Sequence, residues 1–102
     1  MDLQNRVNIT RDQIASFCQK NKIRWFAFFG SVLRNDFSPE SDIDVLVEFE
    51  PDAHVGLMRL VGMERELSGV VGRKVDLRTP RELSRYFRDE VIAEAEIQYE
   101  KD

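Results

Sequence analysis

Two short apolar segments frame the most informative part of the chain. Ile23–Phe29 is almost continuously apolar, and Asp42–Phe49 carries a second apolar run after its first residues. Apolar runs of this length, too continuous for a surface hairpin, indicate buried strands. The polar stretch between them, Gly30–Ser41, contains a Ser-Pro step and is predicted to be a loop with room for one helical turn.

Helical signals stand on both sides of these strands. Thr10 and Gln13 form a capping box, which predicts a helix that begins there and ends near Asn21. A second helix is predicted over Val55–Val71, with Gly72 placed to end it. The residues expected on its inward face lie three and four positions apart: Leu60, Met63, Leu67 and Val70.

The last third of the chain predicts a short strand, a helix and a terminal strand. Lys74–Leu77 is the short strand, and Ile97 with Tyr99 indicates the terminal one. Between them, Thr79–Glu82 is a second capping box with proline at the first helical position, so a third helix is predicted to begin there. This helix is expected to turn three side chains inward, namely Leu83, Phe87 and Val91.

The order of these elements predicts an α/β fold of the α+β type, in which a small mixed β-sheet is flanked by helices. With 102 residues the chain is long enough to bury one core and too short for two. Residues 1–102 are therefore expected to form a single domain.

Composition and charge narrow the class of protein. The net charge of −4 argues against a protein that wraps nucleic acid over a broad surface. No apolar run approaches the roughly 20 residues of a membrane span, and the N-terminus has no signal-peptide pattern. Cys18 is the only cysteine, so no internal disulfide or thiolate zinc cage can form. We therefore expect a cytoplasmic protein with no membrane partner.

An Asp-x-Asp pair opens the second predicted strand. Residues two apart on a strand project from the same face, so Asp42 and Asp44 are expected to point at one spot. Two carboxylates about 4 Å apart repel by roughly 4 kcal/mol at an effective dielectric constant near 20. A cation between them would relieve this repulsion, and Mg²⁺ favours oxygen ligands and shares its shell with substrate phosphates. The pair therefore predicts a metal–nucleotide site.

A third carboxylate and a glycine-serine turn complete this candidate site. Asp76 lies in a short apolar strand, on the opposite face from its neighbours, and would join the other two acids if the strands are adjacent. It would act as general base or orient the acceptor oxygen. Gly30 lets the backbone approach a phosphate, and Ser31 can donate its hydroxyl and N–H. Arg34 either reaches a phosphate or pairs with the nearby Asp36.

Taken together, these motifs resemble the minimal nucleotidyltransferase (MNT) family of the DNA polymerase β-like superfamily. The resemblance is carried by Gly-Ser, ten further residues, Asp-x-Asp, and Val-Asp-Leu about thirty residues later, and it runs from about Ile23 to Asp102. The residues that match the family's motif positions are Gly30, Ser31, Asp42, Asp44 and Asp76. Many members carry glycine after Arg34, where this chain has Asn35, a residue that tolerates positive φ.

The resemblance implies a polymerase β-like nucleotidyltransferase fold, with ATP as substrate and Mg²⁺ as cofactor. Members of this size are typically encoded beside a HEPN-domain RNase toxin and act as its antitoxin. Several transfer AMP from ATP to a tyrosine near the toxin's RNase site. The implied metal ligands and catalytic residues are Asp42, Asp44 and Asp76, and the implied nucleotide-binding residues are Gly30, Ser31 and Arg34.

Two other functions stay open at this point. The domain could silence its partner by steric masking, with the acids vestigial or structural. It could also be a transferase that acts on a small molecule, such as an aminoglycoside, or on an RNA end. Larger nucleotidyltransferases hold the acceptor with an extra helical domain, so a domain of this size is expected to rely on a partner to present it.

Two charged groups near the end of the chain bear on the choice of partner. On a continuous helix Arg81, Arg85 and Arg88 would form one basic stripe, either a solvated face or a contact with the partner or the triphosphate. The acidic residues that follow would repel RNA, so no direct nucleic-acid contact is expected: Glu90, Glu94, Glu96, Glu100 and Asp102.

Overall fold

The computed structural model describes residues 6–35 and 37–101. The elements run in the order α1 (Arg11–Lys20), β1 (Ile23–Phe29), β2 (Ile43–Phe49), α2 (Leu57–Val71), β3 (Val75–Arg78), α3 (Arg88–Glu94) and β4 (Glu96–Glu100). Short 3₁₀ turns follow β1 and β3, at Gly30–Leu33 and Pro80–Glu82. The predicted helical turn after the first strand and the short terminal strand are both confirmed.

The strands form one mixed sheet in the order β3-β2-β1-β4. β1 pairs antiparallel with both β2 and β4, whereas β2 and β3 run parallel and are joined through α2. A parallel pair needs such a crossover because its two strands begin at the same edge of the sheet. The predicted mixed sheet flanked by helices is therefore confirmed.

The main core lies on one face of this sheet. Alternate strand residues meet apolar side chains of α1 and α2, such as Ile14, Phe17 and Leu67. Phe26 is fully buried at its centre and makes edge-to-face contacts with Phe17 and Phe28, with ring centroids 6.3 and 5.7 Å apart. Burial of one such side chain contributes about 1.5–3 kcal/mol, so this face anchors the sheet.

The first helix begins at the predicted capping box, and the second ends at the predicted glycine but begins at Leu57 rather than Val55. Thr10 Oγ1 accepts a hydrogen bond from the Gln13 N–H, and Gln13 Oε1 accepts one from the Thr10 N–H. Gly72 ends α2 with φ of +80°, as expected for a left-handed C-cap. Val70 was predicted to face inward, and this prediction is wrong. Val71 is buried instead, because four residues after Leu67 the helix returns to the same face, and Val70 is 42% exposed.

The predicted extent of the third helix is also wrong. The second capping box forms, but it closes only the 3₁₀ turn Pro80–Glu82, and the α-helix begins at Arg88. Leu83 has an extended backbone, and the Ser84 hydroxyl accepts a hydrogen bond from the Tyr86 N–H, which offers the backbone an alternative to helix. Phe87 is consequently 54% exposed rather than inward-facing.

This break also removes the predicted basic stripe. Arg81 lies in the 3₁₀ turn and Arg85 in the irregular segment after it, so they do not share a helical face with Arg88. Arg88 instead donates to the carbonyl oxygens of Arg81 and Leu83 and ties this segment together. Within residues 6–35 and 37–101, no helix combines the length and the apolar character that crossing a membrane requires.

Candidate active site

The parallel pairing of β2 and β3 brings two of the predicted acids side by side. Asp44 and Asp76 are each the second residue of their strand, and the register places them directly opposite one another. Residues in register on neighbouring strands project from the same face of the sheet. Asp42 lies immediately before β2, two residues from Asp44, and so at the same edge. All three carboxylates therefore lie at the edge where β2 and β3 begin.

Gly30 completes this edge from the neighbouring strand. Phe29, the last residue of β1, pairs with Asp44, and the chain then turns at Gly30 with φ of +75°. A Cβ atom at position 30 would lie 2.4 Å from Asp44 Oδ2. Glycine is required here for two reasons, since its φ is costly for any L side chain and its missing Cβ makes room for the carboxylate.

Ser31 lies in the 3₁₀ turn that follows β1, and Arg34 is the residue that ends this turn. The Ser31 hydroxyl donates a hydrogen bond to the Asp42 carbonyl oxygen at 3.4 Å, which joins the turn to the acid-bearing strand. The Arg34 N–H donates to the Ser31 carbonyl oxygen, and the Arg34 side chain is exposed. Asp36, the alternative partner predicted for Arg34, lies outside the described residues.

The loop between the turn and Asp42 is held by an aromatic ring between two guanidinium groups. The Phe37 ring has Arg6 at 5.5 Å and Arg73 at 4.8 Å from its centroid. Arg6 also donates to the carbonyl oxygens of Val32 and Arg34. Each cation–π contact of this kind is worth about 0.5–1 kcal/mol where it is solvent-exposed. These contacts tie the loop to Arg6, before α1, and to Arg73, after α2.

Asp44 shows the electrostatic cost of gathering these acids. The pKa of its carboxyl is raised above the ordinary value of 3.8, first by burial and next by the charge of Asp76, with a further contribution from Asp42. Arg78 and Arg34 act in the opposite direction. An ionised Asp44 therefore gains from a nearby cation, as expected for a carboxylate that holds a metal ion.

A lysine already lies between the other two acids. Lys74 Nζ is 3.8 Å from Asp42 Oδ2 and 3.8 Å from Asp76 Oδ1. In the part of the chain that the structure describes, however, no three acidic, histidine or cysteine side chains are gathered closely enough to form a ready-made metal cage. The carboxylate oxygens fit Mg²⁺ by their chemistry and by their shared edge, and small side-chain movements would have to complete the coordination. The assignment of these residues to the metal stays a prediction.

The sequence reasoning did not single out Lys74 or Arg78. Arg78 lies two positions after Asp76 in β3, and Lys74 lies two positions before it, immediately ahead of the strand, so the two-residue period that linked Asp42 to Asp44 places both on the side of Asp76. Applying that rule to basic as well as acidic residues would have identified them.

The edge geometry agrees with a comparison against known families. A family model described as "Nucleotidyltransferase domain" matches residues 11–99, which include all three acids and the glycine-serine turn. The chain belongs to the nucleotidyltransferase domain family. This confirms the predicted family and the predicted class of enzyme.

Individual nucleotidyltransferases of known name or structure support the same relationship. A Methanocaldococcus jannaschii protein named as a protein adenylyltransferase is 33% identical over 89 residues, which cover 87% of this chain and 94% of the relative. A solved structure described as a minimal nucleotidyltransferase is 33% identical, with a TM-score of 0.71 over 93% of this chain and 94% of that chain.

A more distant structure shares the fold. It is an MNT antitoxin in complex with a tri-AMPylated HEPN toxin from Shewanella oneidensis, with a TM-score of 0.67 and 19% identity. The match covers 98% of this chain and 74% of that chain. At this identity the likeness shows the fold of the nucleotidyltransferase and nothing finer.

Proposed function

We propose that this nucleotidyltransferase transfers AMP from ATP to a hydroxyl group of a partner HEPN RNase toxin, with tyrosine as the acceptor, and thereby acts as its antitoxin. The names of the relatives support the adenylyl group and the partner: one is a protein adenylyltransferase, and another is an MNT antitoxin bound to an AMPylated HEPN toxin. A cytoplasmic location and the lack of direct nucleic-acid contact remain predictions.

The observation that carries this proposal is the placement of Asp44 directly opposite Asp76 on parallel strands, beside a glycine whose missing Cβ admits the carboxylate. In the proposed reaction the acceptor oxygen forms a bond to the α-phosphorus of ATP, and the bond from that phosphorus to pyrophosphate breaks. The acceptor proton leaves with a general base. Such in-line transfer depends mainly on positioning and on neutralisation of phosphate charge.

The three acids divide these tasks. Asp42 and Asp44 would hold Mg²⁺, which when bound neutralises charge on the phosphates and the leaving pyrophosphate. Asp76 lies deeper, with its side chain 24% exposed against 46% for Asp42. It shares the sheet face of Asp44 and is placed to orient the acceptor hydroxyl and take its proton.

The glycine-serine turn would bind the phosphates. Gly30 presents bare backbone at the end of β1, and the Ser31 hydroxyl, now bonded to a carbonyl oxygen, can turn to a phosphate oxygen. The exposed guanidinium of Arg34 would add a charged fork. A cavity of about 530 Å³ is lined by Gly30, Arg34 and Val91, together with Glu94 and Glu96, and offers room for the nucleoside.

The test uses the chain with a HEPN toxin, ATP and MgCl₂, and mass spectrometry of the toxin. We expect a mass increase of one or more AMP groups on a tyrosine-containing peptide, and its loss in the double variant D42N/D44N. Asp52→Asn is the surface control, because Asp52 is an exposed acid that pairs with Lys22. Adducts that persist at the wild-type rate in D42N/D44N would show that these acids do not carry the reaction.

Steric masking is the second candidate function, and exposed apolar side chains favour it. Leu57 and Met58, in the first turn of α2, are 76% and 88% exposed and would suit a protein contact. Toxin that stays neutralised by D42N/D44N without any adduct would establish masking as the mechanism of antitoxicity.

A further inference from the structure

The ammonium group of Lys74 lies between two of the three acids of the candidate site. It is equidistant, at 3.8 Å, from Asp42 Oδ2 and Asp76 Oδ1. Both distances exceed those of a normal hydrogen bond, whereas Lys20 reaches Glu66 at 2.8 Å in an ordinary ion pair elsewhere on the surface. Lys74 therefore bridges the two acids and is not committed to either.

The backbone explains why the lysine lies there. The Ile43 N–H donates to the Lys74 carbonyl oxygen at 3.0 Å, which fixes Lys74 at the start of the β2/β3 ladder. Ile43 lies between Asp42 and Asp44 in the chain, and Lys74 lies two positions before Asp76. The anchor of the lysine is thus rigid, while its side chain is 69% exposed and free to change rotamer.

The charges at the edge show what the lysine does. Three carboxylates at one edge repel each other, and a monovalent cation tethered among them relieves part of that repulsion. An exposed ion pair contributes only about 0–1 kcal/mol, so a divalent ion can displace the ammonium at little cost.

We propose that Lys74 is a built-in placeholder cation, a positioning residue that bridges Asp42 and Asp76 in the metal-free enzyme and leaves when the divalent ion binds. This inference rests on the metal site of the proposed function. It adds that Lys74 and the divalent ion compete for the same carboxylates. Lys74 should weaken metal binding in the absence of nucleotide and should stabilise the metal-free fold.

The test measures binding of Mn²⁺, as a spectroscopic probe for Mg²⁺, by electron paramagnetic resonance at low ionic strength without nucleotide. In Lys74→Gln we expect Mn²⁺ to bind about five- to tenfold more tightly, because one positive charge about 4 Å from the ligands is removed. Thermal unfolding of metal-free Lys74→Gln should occur at a lower temperature than that of wild type. Lys74→Arg, which keeps the charge, should bind Mn²⁺ no more tightly than wild type.

Lys20→Gln is the matched control. It removes the same net charge from an ion pair on α1, where Lys20 meets Glu66. Its Mn²⁺ affinity should remain within twofold of wild type. An equal gain in Lys20→Gln and Lys74→Gln would show that net charge alone is responsible, and this result would overturn the placeholder role.

The failures of the two proposals can be told apart. Unchanged or weaker Mn²⁺ binding in Lys74→Gln, with normal binding by wild type, overturns the role of Lys74 and leaves the proposed function intact. Absence of Mn²⁺ binding in wild type and all variants overturns the metal site, and the placeholder with it.

Discussion

At the scale of single residues, Gly30 is the most constrained position of the candidate site. Its φ of +75° disfavours any side chain, and a Cβ there would lie only 2.4 Å from Asp44 Oδ2. Gly72 has a similar φ of +80°, yet a Cβ there would meet nothing within 4 Å. Substitution of Gly72 by alanine therefore measures the cost of the backbone conformation alone, whereas substitution of Gly30 adds the cost of crowding against Asp44.

We expect Gly30→Ala to lower the free energy of unfolding by at least about 2 kcal/mol, and Gly72→Ala by only about 1 kcal/mol. Urea denaturation of both variants measures the difference. In an Asp44→Ala background the cost of Gly30→Ala should fall towards that of Gly72→Ala, because the clashing carboxylate is gone. Equal costs in both backgrounds would contradict the close approach of Gly30 and Asp44.

Asp44 illustrates a conflict between stability and function at the same scale. Burial, followed by the charge of Asp76, raises the pKa of its carboxyl above 3.8, so its ionised form is disfavoured in the folded state. The folded state then binds more protons than the unfolded one, and the stability contributed by this group falls as pH rises from 3.8 through the folded-state pKa.

Asp44→Asn should therefore stabilise the metal-free protein at pH 7, by about 0.5–1 kcal/mol, while abolishing adenylyl transfer. The gain should grow from pH 4 to pH 7, since the penalty it removes appears only when the carboxyl ionises. Thermal unfolding across this pH range measures it. A variant that is less stable than wild type at pH 7 would argue that Asp44 is held by favourable interactions instead.

At the scale of secondary-structure elements, the two capping boxes have the same local chemistry and different outcomes. The box at Thr10 opens a helix of ten residues, whereas the box at Thr79 closes only a three-residue 3₁₀ turn. A capping box satisfies N–H groups at a helix start, but it cannot supply the buried face that keeps a helix going. α1 has that face in Ile14 and Phe17, and the residues after Pro80 have no buried side chain in their turn.

Thr10→Ala should accordingly lower the free energy of unfolding by about 1 kcal/mol. Because α1 packs on the core, loss of its N-cap destabilises the whole fold. Thr79→Ala should cost less than half of that, since the turn it caps is short and exposed. Parallel denaturation of the two variants checks this, and equal losses would show that the Pro80–Glu82 turn supports the core as much as α1 does.

At the scale of the whole molecule, the sheet uses its two faces for different purposes. One face carries the core against α1 and α2, and the other presents Asp44 and Asp76. Anchoring the strands from behind lets the acid-bearing edge stay in place although its own charges repel. A cation and a nucleotide at this edge should therefore stabilise the entire fold by mass action.

With ATP and MgCl₂ at about 100 times their dissociation constants, the free energy of unfolding should rise by about 2.7 kcal/mol for one site. For a chain of this size, this increase corresponds to a rise of roughly 10 °C or more in melting temperature. Thermal shift assays with a chelator as baseline measure it. D42N/D44N should show little of this shift, and Asp52→Asn should show all of it. An undiminished shift in D42N/D44N would place the nucleotide elsewhere.

The sequence by itself determined those features whose causes are local. The Thr10 capping box, the apolar run of β1 and the left-handed Gly72 each act through neighbouring residues, so pattern and propensity were sufficient to place them. The Asp-x-Asp pair and the shared face of Asp42 and Asp44 follow in the same way from the two-residue period of a strand.

Only the tertiary structure decided the features that depend on which surfaces meet. The strand order, the parallel register that sets Asp44 beside Asp76, and the approach of Lys74 to Asp42 all arise from contacts between residues distant in the sequence. The same holds for the early end of the helical turn after Pro80, because most of the stability of a helix comes from packing of its apolar face and this turn buries no side chain. Periodicity shows which residues share a face, and packing decides what that face meets.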